Sequence, residues 1–148
     1  MTDDDGSPLD RLKVRREGLA DTAVVLELAI TSAAGDPSLW RGRVREALEQ
    51  VRSALTDHIE EVEASGGLYD NITASSPRLL RTVEQLRRDH IAMAERIQDL
   101  EALLAPDDTP VGDVRDAALA LMADISRHRH RGADLIWEFY DVDIGGGG

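Results

Sequence analysis

Four histidines carry the readiest chemistry in this chain: His58, His90, His128 and His130. A neutral imidazole ligates transition metals, and near neutral pH it can also take or give a proton. The chain has no cysteine, so disulfides, thiolate metal sites and thiol catalysis are excluded. No serine–histidine–acid arrangement is readable, because every histidine falls in a long periodic segment without a strained nucleophile turn. The glycine pairs are not followed by Lys-Ser/Thr, so a phosphate-cradling loop is unsupported. Metal ligation, or a buried polar network, is the chemistry left to these residues.

Whether the imidazoles meet depends on the elements that carry them, and the prolines mark where those elements begin. Four prolines follow a capping residue: Ser7-Pro8, Asp36-Pro37, Ser76-Pro77 and Thr109-Pro110. A Ser, Asp or Thr oxygen can accept an orphan N–H at a helix start, and proline fits the first helical position. Gly35, Gly66-Gly67, Pro106 and Gly145 to Gly148 punctuate the ends. These signals predict four helices over about 8–34, 37–65, 77–105 and 110–141, each roughly 40 Å long. Short first and third connections make an all-α, antiparallel up-down four-helix bundle, one domain over 1–144. The glycine tail over 145–148 is expected to be disordered.

Apolar residues spaced alternately three and four apart give each helix a core stripe. The first helix offers Leu9, Leu12, Arg16, Leu19, Ala23, Leu26 and Ile30, and the second Val44, Leu48, Val51, Leu55, His58 and Val62. On the third lie Val83, Leu86, His90, Met93, Ile97, Leu100 and Leu104. The fourth has Val111, Val114, Ala118, Leu121, Ile125, His128, Gly132, Leu135 and Phe139, with His130 off the stripe and exposed. The stripes are interrupted by Arg16 and by one histidine on each of the other helices. His90 stands 14 residues before Leu104 and His128 stands 18 after Pro110, so the two differ in height by about one helical turn. A single core histidine is ordinarily a satisfied polar residue. Three on three helices imply either a shared metal or a hydrogen-bonded network, because unpaired buried imidazoles cost stability.

The runs Leu55-Thr56-Asp57-His58-Ile59-Glu60-Glu61 and Leu86-Arg87-Arg88-Asp89-His90, with His128 followed by Leu135-Ile136-Trp137, resemble the bacterial hemerythrin-like (HHE cation-binding) domains. The resemblance spans the second to fourth helices, about two-thirds of the chain. It implies a four-helix bundle holding non-haem iron, and a protein that handles or senses dioxygen, nitric oxide or peroxide. The family pattern places a histidine on the first helix and a glutamate four residues after the histidines of the second and fourth. Here the first helix offers Arg16, and those two positions are Val62 and Gly132. An arginine stays charged and opposes a cation. The expected metal set is therefore His58, His90 and His128, with Glu61 or Glu63 as the nearest carboxylate. One iron or zinc fits these better than a standard di-iron centre. The alternative is a degenerate, metal-free member whose surface serves protein interaction. Off-core candidates, Glu17, Glu27 and the His130/Asp134 pair, read as solvated surface.

Composition bounds the partners. The 148 residues are 31% charged and carry a formal charge of −12. Such a field repels phosphate backbones, so neither nucleic acid nor an anionic membrane is an expected partner. The acidic N-terminus is unlike a secretory signal, and no apolar run approaches a bilayer span, so a cytoplasmic location is expected. The basic run Arg127–Arg131 reads as a solvated face, and Trp137 and Tyr140 as second-row packing or a dimer contact. A monomer or homodimer is the expected state. No reaction, and hence no enzyme, is read from these residues.

Overall fold

The computed structural model describes residues 8–144 and, for side chains, 18–141. Four long helices, α1 (Pro8–Thr31), α2 (Pro37–Glu63), α4 (Leu80–Leu104) and α5 (Val111–Trp137), form an all-α bundle, with a short α3 (Leu68–Ser75) between α2 and α4. Around the bundle α1 packs on α2, α2 on α4, α4 on α5, and α5 on α1. The Ser7 cap, the side chains of Leu9, Leu12, Arg16 and Glu17, and the glycine tail at 145–148 lie outside the described residues.

The proline signals place the helix starts to within a few residues, for different reasons. Asp36 is a true cap: its backbone is extended and Oδ1 accepts from Leu39 N–H at 3.2 Å. Ser76 makes no side-chain cap; Pro77–Leu79 form a 3₁₀ turn that leads into α4. Before α5 the cap position is Pro110, not Thr109, whose carbonyl instead accepts from the Arg41 guanidinium. Arg45 similarly donates to the Leu104 carbonyl at the end of α4. Arg115 closes α1 by donating to Ile30 O at 2.7 Å and Ser32 O at 2.9 Å. Past Trp137 the last helix widens into a π-helical stretch, Glu138–Ile144.

The segment from Gly66 to Ser76, expected to be a plain link, contains α3. Its Leu68, Tyr69 and Ile72 are buried, which gives a short helix a reason to form. The preceding turn needs both glycines. Gly66 has φ of +73°, and a Cβ on Gly67 would meet Ala64 O at 2.9 Å. Asp70 Oδ2 then accepts from Gly66 N–H at 2.8 Å.

All stripe residues expected on α2 and α4 are buried, as are Leu19, Leu26 and Ile30 on α1. On α5, Val111 and Gly132 are half-buried and the rest are buried. Trp40, outside the expected stripes, is also buried, whereas Trp137 is 60% exposed, so it does not pack as a second row. The core has two apolar clusters. One runs from Leu19 and Trp40 to Ile97 and Ile125; the other gathers Val62, Leu68, Tyr69, Ile72, Leu79, Val83, Leu86, Leu135 and Phe139. Each core histidine falls at the seam: His58 between Leu55 and Val62, His90 between Leu86 and Met93, His128 between Ile125 and Leu135. Among the described residues no helix is long and apolar enough to cross a membrane.

Candidate metal centre

The stripe positions on α2, α4 and α5 bring His58, His90 and His128 into one layer, with exposures of 2%, 2% and 3%. The Nε2 atoms of His58 and His128 lie 3.2 Å apart, and those of His90 and His128 3.1 Å apart. One nitrogen from each of the three rings lies within 4.8 Å of the other two. The rings meet edge to face, with centroids 4.7–5.4 Å apart. His130 is exposed, and its Nδ1 donates to Ser126 O at 2.8 Å.

Carboxylates hold the outer nitrogens of two of the rings. His128 Nδ1 donates to Asp89 Oδ2 at 3.1 Å, and His90 Nδ1 donates to Glu63 Oε2. The other oxygen of Asp89 accepts from Arg131 Nη1 at 2.6 Å and Gln85 Nε2 at 3.1 Å. The other oxygen of Glu63 accepts from Arg87 Nη1 at 3.2 Å. Glu63, one of the two carboxylates expected near the ion, thus sits on the far side of His90 from the shared nitrogens. Glu61 is half-buried and stands outside the group of three. Asp89 lies one residue before His90 and off the core stripe, so stripe spacing alone does not single it out. Its signal was a carboxylate in the second row of α4, beside the core stripe and facing the next helix. Val62 and Gly132 bring no donor atom from their side chains.

Burial sets the charge state of the rings. It pushes His128 down to about 4, helped by the neighbouring His90 and opposed by Asp89. Burial also lowers His90 against the opposing pull of Glu63. Both rings are therefore neutral at neutral pH, the form that ligates metal. Burial raises the Asp89 carboxyl, but hydrogen bonds from His128, Gln85 and Arg131 outweigh it and hold the group below the ordinary aspartate value. Tyr69 stacks beside His90, centroids 6.0 Å apart and planes 9° apart, and the Arg87 guanidinium lies over the Tyr69 ring at 5.4 Å from its centre. Burial drives the Tyr69 phenol upward, so it stays protonated.

Beside the layer, His58, Tyr69, His128 and Gly132 line a cavity of about 10 Å³ together with Leu68, Leu86, Leu135 and Ile136. That is near the lower limit for one water. A Cβ added at Gly132 would meet nothing within 4 Å, so the glycine leaves open space on the flank of His128. The arrangement offers three buried imidazole nitrogens, carboxylates supporting two of the rings, and a small apolar space. Comparison of the chain with family models, with curated proteins and with solved structures finds no match.

Proposed function

We propose that this chain binds one divalent transition-metal ion through Nε2 of His58, His90 and His128, and that the open side of the ion takes a small ligand. The observation that carries this reading is the convergence of three buried imidazoles from three helices, with nitrogens 3.1 and 3.2 Å apart. A tetrahedral ion with bonds of about 2.0–2.1 Å spaces its nitrogens about 3.3–3.4 Å apart, so the two contacts to His128 need open by only a few tenths of an ångström, with the His58 and His90 nitrogens within 4.8 Å of each other. Imidazoles suit iron and zinc. The hemerythrin-like resemblance favours iron, and dioxygen, nitric oxide or peroxide as the ligand. When bound, the ion supplies a positive centre with a free coordination position; the cavity beside Gly132 supplies room for only a very small partner.

The residues do not fit a two-iron centre. Two ions need bridging carboxylates, whereas Val62 and Gly132 provide none and Glu63 and Asp89 are engaged on outer nitrogens. One specific observation favours a second reading. The two Nε2 contacts also have hydrogen-bond length, as a metal-free polar core sharing a proton would show. In that case the bundle is an interaction module.

Elemental analysis of protein produced with iron and zinc supplied separates these. One ion per chain, lost in His90→Ala, is the expected result. Two irons with an oxo-bridge absorption band would overturn the single-ion reading. Failure to take up iron, zinc or cobalt on titration would select the metal-free core.

A further inference from the structure

We infer that Asp89 and Glu63 are positioning residues of this centre, each holding the outer nitrogen of a histidine on a neighbouring helix so that its inner nitrogen is offered to the ion. The inference rests on the metal reading above. A neutral imidazole carries one proton, on Nδ1 or on Nε2, and only the bare nitrogen can ligate. An ionised carboxylate accepts and cannot donate. The contact of Asp89 Oδ2 with His128 Nδ1 at 3.1 Å therefore places the ring proton on Nδ1 and leaves Nε2 bare. Glu63 does the same for His90. Two bare nitrogens then face each other at 3.1 Å. Their lone pairs repel, and a cation between them removes the repulsion.

The clamps are themselves fixed. Arg131 and Gln85 hold the second oxygen of Asp89, and Arg87 holds that of Glu63. Neither carboxylate shares a helix with the histidine it serves. Asp89 of α4 reaches His128 of α5, and Glu63 of α2 reaches His90 of α4. The pre-set tautomers tie donor direction to helix packing, as outer-shell partners of metal-bound histidines do.

The test uses the whole chain, with two readouts. Ring ¹⁵N shifts of the metal-free protein report which nitrogen of His128 is protonated, and Co²⁺ affinity is measured by chelator competition. In the wild type His128 is expected to be protonated on Nδ1 alone. Asp89→Asn is expected to mix the two tautomers and weaken Co²⁺ binding about 10–100-fold, with Asp89→Glu recovering part of the loss. Asp124→Asn removes an aspartate bonded to Arg96 and Arg127 and should change neither readout. An Asp89→Asn protein matching the wild type in both tautomer and Co²⁺ affinity would overturn the inference. Wild-type protein that takes up no Co²⁺ sinks the metal reading instead, and the ring shifts still decide whether Asp89 sets the tautomer.

Discussion

The apolar half of the bundle and the histidine layer are built by the same helices with the same spacing, yet they do opposite things to stability. In the half around Val44, Leu100 and Leu121 every inward position removes apolar surface from water, about 1.5–3 kcal/mol per large side chain. One turn further on, the same inward geometry delivers His58, His90 and His128, and each polar ring has to be satisfied. Periodicity thus decides where a side chain points. The chemistry of that side chain decides whether the position supports the fold or spends stability to make a site.

The contrast can be broken or sharpened by measurement. Leu121 is fully buried in the apolar half, so Leu121→Ala should cost about 2–5 kcal/mol in denaturant unfolding. Co²⁺ affinity should stay unchanged; a parallel loss would show that the two regions act as one. Acid should act through the layer. The His128 value of about 4 lies below the ordinary 6.5 of the unfolded chain, so between these pH values the unfolded state binds more protons. The stability of the metal-free protein should therefore fall as pH drops from about 6.5 toward 4, on the order of 2–3 kcal/mol. His128→Leu should flatten that dependence in a pH series of unfolding curves. At the far end of α2, Asp36→Ala should cost about 1 kcal/mol of stability through the lost cap and leave metal uptake intact. The smallest effect is expected at the layer's edge. Gly132→Ala meets no atom within 4 Å and should raise stability by about 0.5–1 kcal/mol, seen as a higher unfolding midpoint, while narrowing the space beside His128.

The stripe on α4 was readable in full, because Val83 to Leu104 repeats without interruption except at His90. The three ligand candidates were readable for the same reason: a histidine in an apolar stripe has only the core to enter. α3 was not legible. Its eight residues are too few for a periodic signal, and their burial depends on α2 and α4 already being in place. The role of Asp89 was hidden too. In sequence it adjoins His90, but its partner is His128, 39 residues away, and only the packing of α4 on α5 joins them. Glu63 was visible as a nearby acid but not as the holder of an outer nitrogen, since spacing along α2 says nothing about which ring of α4 lies opposite. The caps show the same limit. Asp36 acts as its type suggests, whereas Thr109 spends its carbonyl on Arg41.

α4 has a double duty: it supplies the ring of His90 and, one residue earlier, the carboxylate that steadies the ring of His128. Successive residues on a helix are separated by about 100° of rotation, so the two groups lean toward different neighbours from a single shaft. Twisting that shaft would swing one donor away and loosen a second in the same stroke. On the proposed metal reading, the centre should then dismantle all at once instead of ring by ring, and release of the ion would report the angle of a single helix.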